Sequence, residues 1–94
     1  MKVVWTTPAS RELEAIGDYI ARASPAAAAR IVTRILDRVD NLAEYPESGR
    51  IGRVAGTREL VVTGTPFIVP YRIRSERIEV LSVFHGARKW PESF

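Results

Sequence analysis

His85 is the one histidine in this 94-residue chain. It opens the run His85-Gly-Ala-Arg-Lys-Trp90, which is dense in groups able to do chemistry. Imidazole titrates near neutrality and suits general acid or base work. It serves equally well as a hydrogen-bonded residue ending a strand. Arg58 and Arg72 have guanidinium groups that fit phosphate bidentately, or they pair across a sheet with the adjacent carboxylates of Glu59 and Glu79. Arg74, Arg88 and Lys89 add further cations close by in sequence. Trp90 offers a face on which a base could stack, or an anchor for the tail before Pro91. No metal-ligand spacing, glycine-rich phosphate loop or nucleophile elbow is present. There is no cysteine, so neither disulfides nor thiolate metal sites can form. No metal and no other cofactor is expected.

These side chains must be held by the elements around them. Phe67-Ile-Val-Pro-Tyr-Arg-Ile-Arg74 and Arg77-Ile-Glu-Val-Leu-Ser-Val-Phe84 are two β-branched and aromatic runs separated only by Ser75-Glu76. That spacing predicts a β-hairpin. If Arg74 opposes Arg77, counting places Ile73 by Ile78, Tyr71 by Val80, Val69 by Ser82 and Phe67 by Phe84, all on one face. On the other face Arg72 opposes Glu79, Pro70 opposes Leu81 and Ile68 opposes Val83. The first face is apolar and needs a cover. Pro70 conflicts with a central strand, because proline donates no ladder hydrogen bond; a bulge or an interrupted pairing is expected there.

The cover comes from the first half of the chain. Lys2 to Thr6 reads as a short strand. Thr7-Pro8 and Ser24-Pro25 each read as a helix start, with a capping hydroxyl before a proline. Leu13, Ile16, Ile20 and Ala23 form one apolar stripe at helical spacing, and Ala28, Ile31, Ile35, Val39 and Leu42 form another. The connection is so short that the helices must fold back as an antiparallel hairpin. Tyr45 to Gly56 reads as a loop carrying Arg50 and Arg53, Thr57 to Val62 as a strand, and Thr63 to Pro66 as a turn. The expected fold is α+β, in the order β-α-α-β-β-β, with a helix hairpin packed on a small, mostly antiparallel sheet and residues 1–94 forming one domain.

Charge divides the chain. Net charge is +3, but residues 9–44 sum to −1 and residues 50–89 to +5. A basic second half suits an acidic partner, whether nucleic acid or protein; solvated surface charge is the alternative. No signal-peptide core and no membrane-length apolar run appears, so a soluble, cytoplasmic protein without membrane contact is expected.

Several stretches taken together carry a family resemblance. They are Ala15-Ile-Gly-Asp-Tyr-Ile20, Tyr45-Pro-Glu-Ser-Gly-Arg50, Gly56-Thr-Arg-Glu-Leu60, Phe67-Ile-Val-Pro-Tyr-Arg72 and Val83-Phe-His-Gly-Ala-Arg-Lys-Trp-Pro91. In this order and length the chain resembles the RelE/ParE toxins of bacterial toxin–antitoxin modules. The resemblance implies a growth-inhibiting toxin, of the kind linked to plasmid stabilisation. It implies as partner an acidic antitoxin encoded beside the toxin, forming a hetero-oligomer with it. The target it implies is either DNA gyrase (the ParE-like branch) or ribosome-bound messenger RNA (the RelE-like branch). A third reading is a binding module that kept the fold without the toxicity.

The RelE-like branch cleaves RNA with a basic cluster and no metal. Its members place an arginine three residues before the tyrosine of the middle strand. Here Tyr71 matches that tyrosine, but Ile68 takes the arginine's place. Their C-terminal tyrosine falls near Glu92, again a mismatch. If this chain is a ribonuclease, Arg58, His85 and Arg88 are the catalytic set. The departures favour the ParE-like branch, in which Arg50, Arg53, Arg58, Arg72, Arg74, His85, Arg88, Lys89 and Trp90 contact the target or antitoxin.

Overall fold

The computed structural model describes residues 1–87. Chain order is β1 (Lys2–Trp5), α1 (Thr7–Ala21), α2 (Pro25–Asp40), a 3₁₀ turn (Asn41–Ala43), β2 (Arg50–Ile51), β3 (Arg58–Val61), β4 (Phe67–Arg74), β5 (Arg77–Val80) and β6 (Phe84–His85). The strands lie side by side as β1-β5-β4-β3-β2, and β6 pairs with the first residues of β4. Only β1 runs parallel to its neighbour, β5; the other pairs are antiparallel. The fold class is thus the expected one, a helix hairpin on a mostly antiparallel sheet.

Thr6 makes the first joint. Its amide and its hydroxyl both donate to the Val80 carbonyl, at 3.1 and 2.7 Å. The same hydroxyl oxygen accepts from the Ala9 amide at 3.4 Å and caps α1. The cap is therefore Thr6 and not Thr7, because the residue that leaves the sheet is also the one that enters the helix. Ser24 caps α2 as expected, accepting from the Ala27 amide at 3.1 Å, with Pro25 next in line. The helices approach closely at Gly17, where an added Cβ would stand 3.2 Å from a Val32 methyl.

The stripes of both helices meet the sheet. Leu13, Ile35, Val39 and Leu42 pack with Leu60, Val62, Val69, Tyr71, Ile78 and Val80 in one core, with Val3 and Trp5 at its edge. Burial on this scale is the main stabilising term; truncating Ile35 to Ala would cost about 2–5 kcal/mol. Tyr71 pairs with Val80, Arg72 with Glu79, Ile73 with Ile78 and Arg74 with Arg77, as counted from the sequence. Ile73 nevertheless remains 37% exposed, outside the buried cluster.

Past Val80 the register changes. Phe67 pairs with His85, and Ile68 with Phe84. Phe67 had been expected opposite Phe84 and Ile68 opposite Val83, so one extra residue is accommodated between Leu81 and Val83. The cause is Pro70. The Leu81 amide donates to the Pro70 carbonyl at 2.9 Å, but the reciprocal bond of an antiparallel pair needs a Pro70 N–H that does not exist. The ladder lapses there and resumes as β6, which is the bulge that a central proline calls for. A second difference is β2, a two-residue strand inside the stretch read as loop.

Candidate functional site, a groove beside the first helix

The lapse in the ladder has a consequence for the surface. Over the first half of β4 the sheet on this side narrows to the two residues of β6, while α1 and α2 continue overhead. The overhang leaves a groove of ≈ 700 Å³. Its floor is Pro66, Phe67, Val83, Phe84 and His85; its walls are Ala15, Ile16, Tyr19 and Ile20 of α1 and Ile31 of α2, with Glu12, Asp18 and Arg22 among the polar members. Ile16, Ile20 and Ile31 are half-buried, since the sheet covers only part of each stripe. Tyr19 is 72% exposed at the rim. Large apolar grooves with a few polar groups are the usual form of binding sites.

His85 lies on this floor. Its ring meets that of Phe67 edge-on, with centroids 5.8 Å apart. Its Nδ1 accepts from the Ala87 amide at 3.1 Å, which requires that nitrogen to be unprotonated and leaves Nε2 as the N–H. Nearby, the buried Ser82 hydroxyl donates to a Glu12 carboxylate oxygen at 2.9 Å and ties the bulge to α1.

The predicted cations are dispersed. Arg58 does not pair with Glu59. It donates to the carbonyls of Gly49 at 2.8 Å and Glu47 at 3.2 Å. Glu59 is buried; one of its oxygens accepts from Arg50 Nε at 2.9 Å and the other from the Arg53 amide at 2.8 Å. Arg72 bridges to Glu79 at 2.6 Å, the cross-strand pair foreseen from the sequence. That bond holds the Glu79 carboxyl below its usual range against an opposing effect of desolvation, with smaller help from the charges of Arg72, Arg74 and Arg77. Arg74 is exposed at the tip of the hairpin.

Arg58 and His85 are not brought together. Arg58 pairs with Tyr71 on one side of β4, and His85 pairs with Phe67 on the other. They stand four residues apart along the strand, about 13 Å. Arg88, Lys89 and Trp90 lie outside the described residues.

Tyr71 is fully buried. Its hydroxyl donates to the Pro46 carbonyl at 2.7 Å and accepts from the Gly49 amide at 2.9 Å. Burial raises its pKa, with smaller lowering effects from the Gly49 bond and Arg58. Ile68, also buried, lies against the Gly86 backbone.

The sequence reading missed the groove. Its walls are ordinary stripe residues, and the available signals were Tyr19 outside the stripe and a proline shortening the sheet beneath it. Among the described residues no cluster is suited to a metal ion, and no helix is long and apolar enough to cross a membrane.

A helix hairpin on a mixed sheet of this order, with a groove between them, defines a small α+β binding scaffold. The family described as ParE toxin of type II toxin–antitoxin system, parDE, matches residues 3–90. Y4kP of Sinorhizobium fredii is 52% identical over 91 residues, covering 97% of this chain and 94% of that protein. Toxin RelE2 of Caulobacter vibrioides is 42% identical over 87 residues, covering 93% and 97%. Among solved structures, a chain of the chromosomal ParDE system of P. aeruginosa superposes with a TM-score of 0.81 at 31% identity, covering 90% of this chain and 95% of that one. A chain of the RelBE2 complex of Mycobacterium tuberculosis shares the fold, with a TM-score of 0.64 at 24% identity and coverage of 89% and 95%. The chain belongs to the RelE/ParE family and is a toxin of a type II toxin–antitoxin system.

Proposed function

We propose that this toxin arrests growth by binding DNA gyrase, without a bond-making step of its own, and that a cognate acidic antitoxin neutralises it by seating an apolar helical face in the groove. The observation that carries the first part is the state of the positions a nuclease of this fold would use. Ile68 stands buried where a phosphate-binding arginine would stand. Tyr71 is committed to two backbone bonds with the segment after the second helix. Arg58 is committed to two carbonyls, far from His85. A metal-independent ribonuclease needs cations and a proton acceptor converging on one phosphate, and Arg58 and His85 do not converge.

Support for the second part is the groove. Ile16, Ile20, Ile31 and Phe67 give it the row of apolar anchor points that an amphipathic helix requires. Arg22, beside the acids Glu12 and Asp18, is the cation of the groove that would meet an acidic flank. The two matching structures come from toxin–antitoxin systems, which agrees with such a partner.

The deciding experiment is induction of the full chain without antitoxin, alongside a supercoiling assay with purified gyrase. The expected result is filamentation, a DNA-damage response and loss of supercoiling, with messenger RNA intact. Rapid loss of translation with cuts at the ribosomal A site would instead establish the RelE-like activity. Unaltered growth together with active gyrase would reduce the chain to a binding module.

A further inference from the structure

The sheet face turned away from the helices holds an arrangement that folding alone does not favour. In register, Lys2 of β1 lies beside Arg77 of β5, and Arg77 lies beside Arg74 of β4. The next residues along each strand turn to the opposite face: Val3 stands beside Ile78, which is in the core, and Ile78 beside Ile73. The three cations therefore form one row across three strands, at a spacing of about 4.8 Å between strands. All three are exposed, and none makes a hydrogen bond or ion pair among the described residues. Like charges directly opposite one another destabilise a sheet, so the row opposes the packing it sits on. In the next row inward Glu79 is bonded to Arg72 and also feels the charges of Arg74 and Arg77. Glu76, in the turn between Arg74 and Arg77, is the nearest other acid in sequence.

We infer that this row is a binding surface for the phosphodiester backbone of duplex DNA, separate from the groove and not dependent on the gyrase reading. Charge complementarity selects a polyanion: three unpaired cations in a line on an open strand surface can each neutralise one phosphate. The rest of the face selects the kind of polyanion. Single strands are held by aromatic stacking, and neither this row nor the Val4–Glu79–Arg72 row beside it carries an aromatic ring. Duplex RNA is held through its 2′-hydroxyls as well as its phosphates, and the row supplies contacts only for phosphates. Backbone contact without base readout is left, which gives sequence-independent binding.

The test is fluorescence anisotropy of the purified full-length chain with a labelled random-sequence DNA duplex of about 20 base pairs, titrated between about 50 and 200 mM salt. Three phosphate contacts predict a slope of log affinity against log salt near −3, from about −0.9 per contact. Lys2→Ala/Arg74→Ala/Arg77→Ala should lose at least about tenfold in affinity at the low-salt end and most of that slope. The same loss of charge on the helices, Arg11→Ala/Arg30→Ala/Arg38→Ala, should keep the slope. The row variant should melt no lower than the parent, since it relieves repulsion, so a fall in affinity cannot be ascribed to unfolding. No binding by the parent chain would overturn the proposal. So would equal losses in both triple variants, or tighter binding to an RNA duplex of the same length. A row variant that keeps DNA but loses hold of polyglutamate would overturn it too, and would assign the row to an acidic protein.

Discussion

Tyr71 and Gly49 are interlocked: the Gly49 amide donates to the Tyr71 hydroxyl at 2.9 Å, and a Cβ on residue 49 would lie 2.6 Å from that same oxygen. The contact pins the segment after the second helix to the central strand, and Arg58 reinforces it by binding the Gly49 carbonyl. A hydroxyl in this position anchors a loop.

Tyr71→Phe should therefore destabilise the fold by about 1–3 kcal/mol, because it leaves a buried amide and carbonyl without their partner. Gly49→Ala should cost a similar amount, about 1–3 kcal/mol, through overpacking. Urea unfolding of each variant measures this. A Tyr71→Phe chain as stable as the parent would refute the anchoring role.

Stability should fall at high pH for the same reason. Burial raises the Tyr71 pKa above 10.0, so the folded state holds this proton more tightly than the unfolded chain does. The resulting stability is fully present below the unfolded pKa and is lost as pH rises through the folded one. Unfolding midpoints measured from neutral to strongly alkaline pH should show this decline, and Tyr71→Phe should remove it.

Glu79 gives the opposite slope. Its folded pKa is lowered, chiefly by the Arg72 hydrogen bond. Its contribution is present above the unfolded carboxylate pKa and fades as pH falls through the folded value. Glu79→Gln should flatten the acid limb of the stability profile. The pair is partly solvated, so Arg72→Ala should have only a small effect on stability.

Arg50→Ala should cost more, about 1–3 kcal/mol, although it too removes one surface-facing arginine. The difference lies in the partner. Glu59 is 2% exposed while Arg50 is half-exposed, so the substitution strands a buried carboxylate, whereas Glu79 can turn to water. Equal effects of Arg50→Ala and Arg72→Ala in parallel thermal melts would contradict this account.

The hairpin turn can be improved. Ser75 and Glu76 both have positive φ, 51° and 58°, the geometry of a tight turn that favours Asn-Gly. Ser75→Asn/Glu76→Gly should raise stability by about 1 kcal/mol, seen as a Tm increase of roughly 4–8 °C. An unchanged or lower Tm would mean the strain is relieved elsewhere.

In the groove, Ile20→Asp should weaken antitoxin binding by about 2 kcal/mol or more, near thirtyfold, while leaving growth arrest intact. Calorimetry with the cognate antitoxin and a growth assay separate the two effects. Parallel loss of both would place the target on the groove as well.

Sequence alone determined the helix hairpin, the apolar face that it covers and the pairing from Tyr71–Val80 to Arg74–Arg77. These follow from side-chain periodicity and from a two-residue turn, which are local. The Ser24 cap was legible for the same reason. The Thr6 cap was misplaced by one residue because its choice depends on Val80, seventy-four residues away. Only the tertiary structure decided that β1 lies parallel to β5, that a residue is bulged out opposite Pro70, and that a groove opens where the sheet narrows. It also decided which arginines bind within the chain and which face solvent. Charge counting placed the net positive charge in the second half of the chain, but whether a guanidinium meets a carboxylate, a carbonyl or water depends on registers and loop paths between distant segments, and no local rule encodes those.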